Sequence, residues 1–236
     1  MTAPVRLAAL VLGLCVLATP VCAFSQQMDS QLVLQNYARA LETIKTPPAQ
    51  IFQYAVSQEG PSNLDQRHQV YRRGIEVRDE TLAADGTALR PKLVRFGERE
   101  DRYAVGRVAP RAANYSFVFL KTAKNGARTD YLYETQPLEP GGAGFVVTGV
   151  AIDGRTFLPH VVRFKAGSGT VAGTGAIEYA PLGGYVVPVA ASVAATLDGK
   201  PAREHISFGA YRFPPTLPSS TFAPPQPLQH ASPPPN

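Results

Sequence analysis

Cysteine is nearly absent from this 236-residue chain: the two present, Cys15 and Cys22, both fall within the first 23 positions. The rest of the chain therefore has no disulfide staple and no thiol nucleophile. Long apolar runs are also missing. Leu7–Ala18 is twelve residues, too short to span a bilayer, and no later stretch approaches eighteen, which argues against a second membrane anchor. Nor is charge of one sign concentrated anywhere. The net charge is +5, and the densest basic groups, Arg72-Arg73 and Lys121–Arg128, are offset by Asp79-Glu80 and Glu98–Asp101. Without a basic stripe, nucleic-acid binding is excluded as a class, and weak attraction to anionic membrane surfaces is the most such a charge supports.

The groupings that chemistry requires are missing too. His68, His160, His205 and His230 stand far apart, and none has metal-ligand spacing to another His or a Cys. Gly167-Ser168-Gly169 is too short for a nucleophile elbow and reads as a turn. Gly173-Thr174-Gly175 lacks the lysine and the following helix of a phosphate loop. Glu98, Glu100 and Asp101 adjoin arginines and turns, which describes a solvated rim and not the dry, split environment of an acid/base pair. The expectation is a protein without catalysis, metal or cofactor.

What the chain does have begins with its first residues. A short basic start ending at Arg6, the apolar run and Val21-Cys22-Ala23 build a secretory signal peptide over residues 1–23, cleaved after Ala23. Leu14 and Val21 precede the two cysteines where a lipid-attachment signal needs a small residue, so a free, exported protein is expected. The body, residues 24–213, is the size of one domain that buries its own core. It opens with a helix capped by Asp29 or Ser30, whose Val33, Tyr37, Ala40, Leu41 and Ile44 recur at helical spacing until Pro47-Pro48.

From Gln50 onward the pattern is strand and turn. Phe52, Tyr54 and Val56 alternate with polar or small residues. Further strands are predicted at 69–78, 92–97, 101–108, 114–122, 128–135, 144–152, 158–165, 170–179, 185–197 and 203–213, about eleven in all. Asp85-Gly86, Asn125-Gly126, Asp153-Gly154 and Asp198-Gly199 are turn dipeptides that join neighbours antiparallel, in meander order. Residues 214–236, with nine prolines, read as a tail without fixed structure.

Aromatic residues sit on alternating positions: Phe52 and Tyr54, then Tyr115, Phe117 and Phe119, then Tyr131 and Tyr133. Core packing accounts for most of them. Yet an open antiparallel sheet with a single helix leaves inner face to cover, and an aromatic-lined hollow is the usual form of a small-molecule or lipid site.

The order of these elements resembles the periplasmic outer-membrane lipoprotein carrier superfamily, the LolA/LolB-like proteins. The matching features are a helix ending at Lys45 before the Phe52 strand, Ile152-Asp153 followed by Leu158-Pro159, and Phe208 and Phe213 leading into Pro214. The resemblance implies a mainly β fold, an antiparallel open half-barrel of about eleven strands with an N-terminal helix packed on it. It also implies a non-enzymatic periplasmic protein that holds a lipid or acyl chain, free or on an acylated protein, in the concave face. Phe52, Tyr54, Val56, Phe117, Phe119, Tyr131 and Tyr133 are the candidate ligand-binding residues. The alternative is an envelope interaction or sensor protein that meets a protein partner through the sheet or the proline-rich tail.

Overall fold

The computed structural model describes residues 29–61, 63–139, 144–168, 171–197 and 199–224. The expected signal peptide and residues 225–236 of the tail lie outside these. No helix among the described residues is long and apolar enough to cross a membrane.

Helix α1 (Ser30–Glu42) starts where Asp29 Oδ1 accepts the amide of Gln31 at 2.9 Å, and ends where the Thr43 hydroxyl donates to the Ala40 carbonyl. Its Val33, Tyr37 and Leu41, spaced by four, are its buried residues. Eleven strands follow in one open antiparallel sheet: β1 (Gln50–Glu59), β2 (Leu64–Arg73), β3 (Glu76–Ala84), β4 (Thr87–Glu98), β5 (Tyr115–Asn125), β6 (Arg128–Pro137), β7 (Phe145–Asp153), β8 (Pro159–Ser168), β9 (Val171–Leu182), β10 (Tyr185–Leu197) and β11 (Lys200–Arg212). The spatial order is β4-β3-β2-β1-β11-β10-β9-β8-β7-β6-β5.

This order is a meander entered from its middle. The chain begins at β1, steps outward to the β4 edge, crosses to the far β5 edge, and steps back until β11 pairs with β1. Short turns carry most steps; Asp85-Gly86 and Gly126 take the positive φ that such tight reversals need. The single long connection, residues 99–114, contains the short helix α2 (Val105–Val108).

The strand count agrees with the sequence reading, but through two offsetting differences. The predicted strand 69–78 is the β2–β3 hairpin, reversed at Gly74 with φ +58°. An Arg-Gly step lacks the side-chain turn chemistry that marks Asp-Gly, so the reversal left no clear signal. The predicted strand 101–108 is no strand. Asp101 accepts the amides of Tyr103 (Oδ1) and Ala104 (backbone carbonyl), and Ala104 opens α2, so Val105 and Val108 bury at helical spacing. Four residues of apparent alternation were too few to separate the two periods.

The inner face of the sheet carries the core. Val33, Tyr37 and Leu41 of α1 pack with Val105 and Val108 of α2 against Tyr133, Val150, Ile152, Val162, Ile177 and Ala191. Two tyrosines tie these layers together: Tyr133 Oη donates to the Ser30 carbonyl and Tyr37 Oη to the Pro110 carbonyl, each at 2.9 Å. Burial pushes the Tyr37 hydroxyl well above its usual range. The ring of Phe164 lies over Gly175, where a Cβ would stand 2.4 Å from its Cζ.

The expectation of a structureless tail from Pro214 is corrected for its first part. Residues 214–224 return to the β2–β3 hairpin, with Leu217 buried. Arg73 Nη1 donates to the Leu217 carbonyl at 2.7 Å, Arg73 Nη2 donates to Ser219 Oγ at 3.2 Å, and the guanidinium lies 5.0 Å from the centre of the Phe222 ring. An arginine offering several fixed donors and a stacking face holds a proline-rich segment that has little apolar surface of its own.

Candidate functional site

The two helices cover the inner face along β5–β10. The inner face from β11 through β1 and β2 to the β4 edge lies beyond them. Strand alternation places Phe52, Tyr54 and Val56 of β1 on that face, with Phe52 opposite Val70 and Tyr54 opposite His68 on β2. On the other side Tyr54 stands opposite Phe208 and Val56 opposite Ile206 on β11. Phe52 stacks on Tyr211 at 5.3 Å between centroids, and Phe208 meets Tyr103 edge-on at 5.4 Å. Between these rings and the roof made by residues 99–103 lies a cavity of about 200 Å³, walled also by Val70, Ile206 and Pro188.

The roof is held down by polar contacts. Arg99 Nη2 donates to Asp79 Oδ2 at 3.0 Å, and Arg72 Nη1 donates to the Arg99 carbonyl at 2.7 Å. Asp79 is buried at the centre of this arrangement; it also accepts from Tyr54 Oη at 3.1 Å and faces His68 Nδ1 at 2.9 Å. Burial alone would raise its carboxyl, but the contacts from His68, Arg99 and Tyr54 outweigh that and hold it below the usual carboxylate range. Burial, and then the Asp79 charge, push the Tyr54 hydroxyl upward; burial likewise raises Tyr103 and Tyr211. The cavity therefore presents neutral phenols and aromatic faces at neutral pH, beside Arg72 and the charged roof residues Arg99, Glu100, Asp101 and Arg102.

Larger hollows exist elsewhere. One of about 580 Å³ lies on the outer face, where Ser57, His205, Ser192, Ala176 and Arg163 align across β1, β11, β10, β9 and β8. Another, of about 480 Å³, sits at the sheet rim around Arg128, Thr156 and His160. Neither brings several aromatic rings together: the first has Phe164 and the second Tyr179, whereas Phe52, Tyr54, Tyr103, Phe208 and Tyr211 all line the smaller cavity.

Two His–Asp pairs are present, and in each the second ring nitrogen already has a partner. His68 Nδ1 faces Asp79 while its Nε2 faces Gln66 Oε1 at 3.1 Å. His160 Nδ1 faces Asp130 at 3.2 Å while its Nε2 faces Arg128 Nη1 at 2.5 Å. In neither pair does the second nitrogen meet a hydroxyl that it could activate. Among the described residues, no group of three or more His, Cys, Asp or Glu is placed to hold a metal ion.

The residues proposed from the sequence fall into two sets. Phe52 and Tyr54 line the cavity. Val56, Tyr131 and Tyr133 belong to the core under α1, with Phe117 and Phe119 packed against it. Phe117 and Phe119 meet the Tyr133 ring edge-on, and Phe117 also meets Tyr37 of α1. Sequence reasoning missed Val70, Arg72, the roof residues 99–103, and Phe208 and Tyr211 as wall residues. The run of aromatics Phe208, Tyr211 and Phe213 before Pro214 was the available signal for the last two.

No family model matches the chain, and no curated protein matches it. Solved structures do. A LolA superfamily protein from Nitrosomonas europaea is similar at 13% identity and a TM-score of 0.43, over 84% of this chain and 98% of that one. An outer membrane lipoprotein-sorting protein domain from Vibrio parahaemolyticus is similar at 14% and 0.46, over 82% and 97%. A DUF1329 family protein from Desulfovibrio piger is similar at 9% and 0.47, over 82% and 96%. At TM-scores below 0.5 these neighbours share an outline, and nothing about ligand or partner follows from them.

Proposed function

We propose that this chain is an exported, non-catalytic binding protein that holds an apolar chain against the inner face of β1, β2 and β11, beneath the roof formed by residues 99–103. The observation that carries the reading is the aromatic cavity itself. α1 and α2 cover the inner face along β5–β10, yet between Phe52, Tyr54, Phe208 and Tyr211 about 200 Å³ stays unfilled. Interiors are normally close-packed, so a hollow walled by aromatic rings beneath the polar roof favours an occupant. Each methylene moved from water into it contributes about 0.8 kcal/mol. The cargo class is a lipid or acyl chain, free or carried by an acylated protein, and the place of action is the periplasm.

Native mass spectrometry of the protein taken from its own envelope, with lipid extraction of the same sample, tests this. A bound apolar species is expected. The variant Val70→Phe, which puts a ring into the cavity, is expected to lose it while its circular dichroism stays unchanged. A clean apo mass that takes up neither added octan-1-ol nor a naphthylamine dye would end the reading.

A further inference from the structure

Arg72 stands out among the cavity-lining residues. It is only 8% exposed, and its Nε is a buried donor with no hydrogen-bond partner among the described residues. Nη1 is satisfied by the Arg99 carbonyl, but the nearest carboxylate oxygen to Nε, Asp101 Oδ2, is 3.9 Å away, beyond hydrogen-bond range. A buried charge with an unmet donor is costly, and native structures usually pair it. Burial and the neighbouring Arg99 both weaken the hold of Arg72 on its proton, with Asp101 acting against them.

Asp101 is itself only half engaged. Its Oδ1 accepts the Tyr103 amide at 3.0 Å, whereas Oδ2 has just the 3.4 Å contact from Gln50 Nε2 and the long approach to Arg72. Arg102 adds a further cation at the roof, 4.9 Å from the centre of the Tyr103 ring. From this we infer that the cavity recognises an amphiphile bearing a single carboxylate, whose apolar chain lies among Phe52, Phe208 and Tyr211 while the carboxylate displaces Asp101 and takes the buried, unpaired Nε edge of Arg72. A carboxylate suits the planar, parallel donors of arginine at 2.7–2.9 Å. Asp101 and Glu100 repel any anion here, and a doubly charged phosphate about twice as strongly as a carboxylate, within a space of about 200 Å³. The inference rests on the apolar-chain reading above and adds the head group to it.

Isothermal titration calorimetry at pH 7 and fixed ionic strength with octanoate, octan-1-ol and octylammonium separates the two claims. In the intact protein octanoate is expected to bind at least about tenfold more tightly than octan-1-ol, the scale of one hydrogen bond to a charged group. Octylammonium should be weakest. Arg72→Gln should bring octanoate down to the level of octan-1-ol. Because Arg72 also holds the Arg99 carbonyl, Asp101→Asn supplies an independent arm: with the competing carboxylate gone, the ratio of octanoate to octan-1-ol affinity should rise several-fold above that of the intact protein. Octanoate binding no tighter than octan-1-ol, with octan-1-ol binding intact, overturns the head-group inference and leaves the apolar cavity standing. No binding of any of the three overturns both.

Discussion

Removal of the Asp79 carboxylate is the perturbation whose effect the structure defines most sharply. Asp79→Ala deletes the acceptor for Tyr54 Oη at 3.1 Å and for Arg99 Nη2 at 3.0 Å, together with the partner of His68 Nδ1 at 2.9 Å. Tyr54 and His68 cannot turn to water, because their rings stack at 4.4 Å and 3° inside the sheet. Arg99 is more than half exposed and recovers solvent, so its share is small. The cost therefore comes from two stranded groups at about 1–3 kcal/mol each, and breaking a buried pair typically costs about 3–5 kcal/mol. With a urea dependence of about 2 kcal/mol per molar, the unfolding midpoint should fall by roughly 2 M. Glu100→Ala, which removes the exposed partner of Arg107, serves as the control and should move the midpoint negligibly. Equal shifts for the two variants would refute the claim that Asp79 organises a buried network.

Other expectations follow from the same contacts. Gly175→Ala puts a methyl against Phe164 and the Ser192 carbonyl and should cost about 1–3 kcal/mol by denaturant titration. In acid, Asp79 and Asp153 have folded-state values below the usual carboxylate range. For Asp153, burial opposes this, but hydrogen bonds from Thr156 and Arg155 outweigh it. Their stabilisation is full above about pH 4 and lost as pH falls further, so a stability–pH curve should drop on that side, and less steeply in Asp79→Asn. In alkali the sign reverses. Burial pushes Tyr133 up to about 12, so the stability it confers is present below about pH 10 and lost as pH rises toward 12; tyrosinate absorbance should appear with unfolding. Arg73→Ala should open residues 214–224 to limited proteolysis without altering the sheet.

Much of the fold was legible because long antiparallel strands announce themselves by alternation and by Asp-Gly and Asn-Gly turns. The stripe of α1 was equally plain: Val33, Tyr37 and Leu41 bury as their spacing requires. The site was legible only in part. Phe52 and Tyr54 were visible as one strand face, but alternation cannot tell which inner-face aromatics a helix will cover. Tyr131 and Tyr133 look no different in sequence, yet they lie under α1. The roof was hidden for a different reason. Residues 102–105 alternate like a strand, and Asp101, turning back to take the amides of Tyr103 and Ala104, makes them part of a crossing segment. Arg72 was missed with the hairpin reversal at Gly74, since a strand drawn through 69–78 gives no reason to bury a cation.

The most direct test of the binding site is solution NMR of the isotopically labelled protein with octan-1-ol, reading intermolecular nuclear Overhauser effects from ring protons. Contacts from Phe52, Tyr54, Phe208 and Tyr211, with none from Tyr131 or Tyr133, are the expected result. Contacts confined to the rings under α1, or to the outer face, would contradict the account.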